Sequence, residues 1–264
     1  MGGKFSAGFT IIETTLFLAI SGVLVATMIA GTSISLNIQR YRDASETFKS
    51  LIQQQYAELS SVQNPRDNDW TCNANAQPTE TATNAANRGQ SECVLVGKYM
   101  RVEGGAISVY TVLARETTEA AQISDLDYMR NNYVFNAQDG DVYERDMEWG
   151  TEIAWAETGI DGKTPTTPRS LGILFVRSPN SGRVYTFTSD TVPAKNAIGN
   201  STFTSMMSAP NEAAARAQRV VCVQSDGLLI AGDRALYIAA NAGNASAIEI
   251  RSNDTMEGLA ACKI

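Results

Sequence analysis

The chain has 264 residues, a formal net charge of −7 and no histidine. Without histidine, Ser-His-Asp and Cys-His nucleophile arrangements are impossible, and the acidic balance argues against a nucleic-acid surface, which requires clustered Lys and Arg. No glycine-rich phosphate loop of the G-x-x-x-x-G-K type is present, so the chain reads as a non-enzyme with no cofactor.

Taken from the N-terminus, the first informative stretch runs from Thr14 to Gln39, which carries no formal charge. Leu16, Phe17, Leu18, Ile20, Val23, Leu24, Val25, Met28 and Ile29 dominate its first half. A helix needs about 20 such residues to cross a bilayer. Glu13 stands at the head of this stretch. An ionised side chain inside a span costs roughly 2.5–3.5 kcal/mol on insertion scales and calls for a partner, whereas at the headgroup level it costs little. Position alone leaves both readings of Glu13 open.

Past the apolar stretch the helix is expected to continue. Ile34, Ile38, Tyr41, Ala44, Phe48, Leu51, Ile52, Tyr56 and Leu59 recur at spacings of three and four, with Arg40, Arg42, Asp43, Glu46, Lys49 and Glu58 on the other faces. Pro65 supplies a stop. Unbroken over residues 9–62, with the membrane half at about 9–33, the helix would extend about 80 Å at ~1.5 Å per residue. Gly22 and Gly31 weaken it by about 1 kcal/mol each relative to Ala. They admit two explanations, close helix packing or local unwinding on assembly.

Residues 63–98 form a polar connection, rich in Asn, Ala and Thr up to Gln90, with Trp70 as the large apolar residue of that stretch. A β-rich head over residues 99–264 is expected next. Its strand candidates are Val94–Val102, Ala106–Ala114, Leu171–Arg177, Arg183–Thr188, Arg219–Gln224, Gly227–Ala231, Ala235–Ala239 and Ser246–Ile250, with a short helix at Asn211–Gln218. Pro179-Asn180-Ser181-Gly182 and Ser225-Asp226-Gly227 are turn signals. The fold class is therefore α+β, an antiparallel sheet packed on the long helix. Asp139, Asp141, Glu144 and Asp146 lie in an acidic region from Asn136 to Glu148. They form a weak calcium candidate, but the spacing departs from the EF-hand pattern and a solvated acidic loop is the preferred reading. Cys72, Cys93, Cys222 and Cys262 include no C-x-x-C unit, and with no histidine they offer no recognisable zinc site; disulfides outside the cytoplasm are expected.

The segment Gly8-Phe9-Thr10-Ile11-Ile12-Glu13, preceded by a short leader carrying Lys4 and followed by the apolar run, resembles the processing site of type IV pilins and pseudopilins. The resemblance covers about Met1 to Val62. It implies that residues 1–8 are a leader, that prepilin peptidase cuts between Gly8 and Phe9, and that the new amine of Phe9 is methylated. It further implies that Glu13 pairs with the Phe9 amine of a neighbouring subunit and sets the register between helices. Opposite charges in low dielectric attract strongly and are costly when unpaired, which suits such a role. Four cysteines allow three connectivities; proximity and family habit favour Cys72 with Cys93 and Cys222 with Cys262.

The function so implied is that of a structural subunit of a type IV pilus, polymerised through its N-terminal helix for surface attachment, motility or DNA uptake. Its partners would be other copies of itself and other pilins, prepilin peptidase, the assembly platform in the cytoplasmic membrane, and the lipid bilayer before assembly. Two alternatives are a pseudopilin of a secretion or competence pseudopilus, and a membrane-anchored surface domain that does not polymerise. Counting basic residues, with Lys4 before the span and Arg40, Arg42 and Lys49 after it, would put the C-terminal side in the cytoplasm. The motif and the cysteines place the head outside, and that is the expected orientation, in the inner membrane as precursor and at the cell surface when assembled.

Overall fold

The computed structural model describes residues 10–61, 70–80, 92–117, 124–156, 167–208, 211–225, 234–252 and 262. Helix α1 runs from Ile11 to Ser60, about 75 Å at ~1.5 Å per residue. Thr10 caps it from extended backbone, its hydroxyl accepting from the Glu13 N–H at 3.3 Å, and the Glu13 carboxylate falls in the first turn, where the helix dipole favours an anion. At the other end the Ser61 N–H closes on the Ala57 carbonyl. Residue 9, residue 62 and the proposed stop at Pro65 lie outside the described residues.

A small hairpin follows within the polar connection, β1 (Trp70–Cys72) paired with β2 (Pro78–Glu80). The Asn73 side chain builds its turn, accepting from the N–H groups of Asn75 and Gln77 at 2.9 and 3.0 Å. Then come β3 (Cys93–Glu103) and β4 (Ala106–Glu116), helix α2 (Asp125–Asn132), β5 (Tyr133–Asp146) and β6 (Thr151–Ala154). Next are β7 (Ser170–Arg177), β8 (Val184–Ser189), helices α3 (Asn200–Met207) and α4 (Asn211–Ala215), β9 (Arg219–Ser225), β10 (Arg234–Ile238) and β11 (Ile248–Ser252). The expected strands in the described residues are present within a few residues of their predicted ends. Gly227–Ala231 and the turn at Asp226-Gly227 lie outside them.

The strands form a five-stranded sheet, ordered β5-β4-β3-β7-β8, and a four-stranded sheet, ordered β11-β10-β9-β6, with antiparallel pairing throughout. The second half of α1 packs against both. Phe48, Ile52 and Tyr56 share one core with Met100, Ile173 and Phe175 of the larger sheet and with Val221, Val223 and Leu236 of the smaller. The opposite face of the larger sheet is covered as well. There α2, α3 and α4 bury Tyr99, Tyr110, Phe135, Leu174 and Phe187 under Met129, Phe203 and Met207. This explains why β7 is a continuous run, Leu171-Gly172-Ile173-Leu174-Phe175-Val176, and not an alternating one: both of its faces are buried.

One expectation is corrected. The acidic region from Asn136 to Glu148 is mostly strand β5, not a loop, and β5 forms an edge of the larger sheet along β4. The register jumps between Tyr110–Val142 and Thr111–Gln138, so Asp139, Gly140 and Asp141 form a bulge. Charges and a bulge on an edge strand hinder pairing with another sheet, which accounts for the acidity without a ligand.

Candidate assembly and membrane face on the N-terminal helix

The described residues bury no part of the first half of α1; burial along the helix begins at Tyr41. Thirteen large apolar side chains between Ile11 and Leu36 are half or more exposed, among them Ile11 at 83%, Phe17 at 70% and Met28 at 74%. The most apolar 18-residue window of the helix has a mean hydropathy of 2.0, and none of it is buried. Burying these side chains would stabilise the system by on the order of 20–40 kcal/mol, at about 1.5–3 kcal/mol each. An apolar surface of this size is a site for lipid or for another protein.

Six of its hydroxyls are internally satisfied. The hydroxyls of Thr14, Thr15, Thr27 and Thr32 donate to carbonyls one turn back at 2.9 to 3.0 Å, and Ser21 and Ser33 do the same at 2.7 and 2.9 Å. An apolar medium requires this of every donor. Gly22 and Gly31 lie within the unbroken helix, and a Cβ at either would meet nothing within 4 Å. Nothing among the described residues therefore requires glycine at those positions.

Where α1 meets the head it is held by specific contacts. The Tyr41 hydroxyl donates to the Val223 carbonyl at 2.7 Å and accepts from the Arg234 N–H at 3.1 Å. Arg40 stacks on the Trp149 ring at 4.9 Å, and the Trp149 indole donates to Asp43 at 3.4 Å. Trp149 adopts left-handed backbone, φ 59°, a conformation uncommon for a bulky residue. Deeper in, the Gln53 amide donates to the Ala245 carbonyl at 2.9 Å, and Tyr56 bonds Thr186 at 2.8 Å. Burial pushes the Tyr56 phenol up to about 12, against a smaller lowering by Thr186, so it stays neutral.

Glu13 stands at the exposed tip of α1, and among the described residues no cation forms an ion pair with it. Gly8 and Phe9 lie outside those residues. Disulfides join Cys72 to Cys93 and Cys222 to Cys262, the favoured pairing. The first ties the small hairpin to the start of β3; the second ties Cys262, fully buried with Ala154 and Ala235, to β9. Of the acidic candidates, Glu144 pairs with Lys195, which holds its carboxyl below the ordinary value. Asp139 lies in the β5 bulge and Asp146 at the end of that strand, and the Asp141 side chain is outside the described residues. Among the described residues no group of three or more His, Cys, Asp or Glu side chains is placed to hold a metal ion. Sequence reasoning missed the Arg40–Trp149–Asp43 contact, because its partners are about a hundred residues apart.

Comparison of the chain with protein-family models, with curated proteins and with solved structures finds no match.

Proposed function

We propose that this chain is a type IV pilin-like filament subunit. It is made as an inner-membrane precursor, cut between Gly8 and Phe9 by prepilin peptidase, and polymerised with other copies of itself through the first half of α1. The observation that carries the reading is the division of one continuous helix into a buried half and a half that is apolar, uncharged from Thr14 onward and exposed around its circumference. Such a surface suits lipid before assembly and neighbouring helices after it, and the packing-free glycines at Gly22 and Gly31 suit close approach by a second helix. The Glu13 carboxylate would be answered by the Phe9 amine of a neighbour, an amine that exists only after cleavage. The role is structural, with the head outside the cytoplasm.

Two measurements test this. Mass spectrometry of the native N-terminus should find methylated Phe9; an intact Met1, or cleavage after the apolar run, would indicate a plain membrane anchor. Cells expressing Glu13→Ala or Gly8→Ala should lack the filaments made by the parent chain, and normal filaments from both variants would sink the proposal.

A further inference from the structure

Just past its exposed half, helix α1 carries cations that a plain span would avoid. With the head outside the cytoplasm, Arg40, Arg42 and Lys49 follow the apolar run directly, where basic residues oppose that orientation. Lys49 is answered by Glu46 at 3.0 Å. Nearby in the head, Arg145 pairs with Glu148 at 2.8 Å and Arg234 with Glu46 at 3.6 Å. Arg40 and Arg42 differ: both are exposed, and neither has an ion pair among the described residues.

Their level on the helix decides what they meet. Leu36 closes the run of exposed apolar side chains, and Arg40 and Arg42 follow it by about 6 and 9 Å at ~1.5 Å per residue. A hydrocarbon layer of about 30 Å in a membrane of about 40–45 Å leaves roughly 5–8 Å of headgroups on each side. With the apolar run filling the hydrocarbon, both guanidinium groups reach phosphate depth, since long basic side chains keep their charge in the polar layer. On the helix they flank the buried Tyr41, about 100° to either side of it. They form the sides of a collar, not one pocket.

Trp149 completes the collar beside Arg40. Its side chain is 50% exposed although its backbone is left-handed, φ 59°. That conformation is costly for a bulky residue and persists only where the surroundings enforce it. Here Asp43 accepts from the indole at 3.4 Å and the Arg40 guanidinium lies 4.9 Å from the ring centre. Stacking uses the face of the guanidinium and leaves its in-plane N–H donors free, the edge that grips a phosphate bidentately. An indole, apolar in body with one N–H, is suited to headgroup depth. The nearby carboxylates are engaged within the protein: Asp43 by Trp149, Glu46 by Lys49 and Arg234, Glu148 by Arg145.

We propose that Arg40, Arg42 and Trp149 form an interfacial collar that binds the phosphates of anionic phospholipids in the leaflet on the head's side and seats the head against the membrane. This rests on the membrane-spanning part of the reading above and requires neither cleavage at Gly8 nor polymerisation.

The test uses the full chain in lipid nanodiscs. Tryptophan emission is measured with phosphatidylglycerol brominated near the headgroup end of its acyl chains, diluted in plain phosphatidylcholine, and with brominated phosphatidylcholine diluted in plain phosphatidylglycerol. The Trp149 component is the part lost in Trp149→Phe. It should be quenched, and more strongly by the brominated phosphatidylglycerol. Arg42→Gln, which leaves the Arg40–Trp149 stack in place, should lower that preference by about two- to fivefold, as expected for one basic residue near an anionic surface. Arg40→Gln with Arg42→Gln should bring it close to one, and Arg42→Lys, which keeps the charge, should retain it. High salt should weaken it. The proposal is overturned if Trp149 is not quenched, if the two lipids quench alike, if the preference survives the double variant, or if Arg42→Lys loses it as fully as Arg42→Gln. Loss of filaments in Glu13→Ala without their ever forming in the parent chain, alongside an intact lipid preference, would sink the filament reading alone; filaments with no lipid preference would sink this proposal alone.

Discussion

Between Ile11 and Leu36, helix α1 exposes nearly every large apolar side chain it carries, whereas between Tyr41 and Leu59 it buries nine residues. Both halves are apolar, but the pattern differs. The second half confines its apolar residues to a stripe and gives Arg40, Arg42, Asp43, Glu46 and Lys49 the remaining faces; the first is apolar all round. A stripe can be satisfied by one neighbour on one side, while an all-round surface needs an enclosing medium. The head supplies the neighbour. It does not supply the medium, so the boundary near Ile38 and Tyr41 is where intramolecular packing ends and an external requirement begins.

The most direct way to break this comparison is to cut into the buried half. Phe48 is 2% exposed and sits in the core shared by both sheets. Phe48→Ala should cost about 3–5 kcal/mol, the usual range for a large aromatic removed from a packed core. Urea unfolding of the full chain in detergent measures it, and a cost under about 1 kcal/mol would mean that the head stands without α1. Almost as large an effect is expected from the staple on β9, the strand that contributes Val221 and Val223 to the same core. The Cys222–Cys262 bridge closes a separation of 40 residues, so Cys222→Ala with Cys262→Ala should lose roughly 3–4 kcal/mol by loop-closure entropy. The same unfolding measurement checks it, and reducing agent should leave this variant's remaining loss to the Cys72–Cys93 bridge.

Much of this was legible in the sequence because it followed from periodicity. The Phe48, Leu51, Ile52, Tyr56 and Leu59 stripe read as one face of a helix and is one. The strand pair around Pro179-Asn180-Ser181-Gly182 announced itself through a turn signal between two apolar runs. The acidic strand β5 did not: Asp139-Gly140-Asp141 looks like a loop because the bulge interrupts the alternation, and the strand status of that segment comes from pairing with β4, a non-local fact. Helices α2 and α3 were also missed, since eight-residue helices carry barely two turns of pattern and are held by the sheet face beneath them. Of the candidate site, the exposed half of α1 and Glu13 were visible as an uncharged run. The clasp of Arg40, Trp149 and Asp43 was not, because its geometry depends on how a distant turn returns to the helix.

A smaller effect is expected where the two halves meet. Tyr41 is the first residue of α1 to be buried, and its hydroxyl serves the Val223 carbonyl and the Arg234 N–H. Tyr41→Phe keeps the ring and removes both bonds, so about 1–3 kcal/mol should be lost. Amide hydrogen exchange would localise the change, with faster exchange at Arg234 than at Ile173 in the far sheet. Uniform acceleration would instead place the junction inside the cooperative core.

The smallest effect is expected in the exposed half. Ile20 is 54% exposed, and it belongs to the window of α1 that has no buried residue. Ile20→Ala removes as much hydrocarbon as a core Ile→Ala change, which costs about 2–5 kcal/mol. In the head's unfolding free energy, however, it should register under about 0.5 kcal/mol, as surface changes do. Alanine is also the better helix former by a few tenths of a kcal/mol, which pushes the result further toward zero. The measurement is denaturant unfolding of the full chain in detergent, followed by a probe in the head. A loss in the core range would mean that Ile20 folds back onto the head and that the two halves share one environment. A null result in the head, together with weakened membrane retention or filament yield, would assign the missing free energy to lipid and to neighbouring helices.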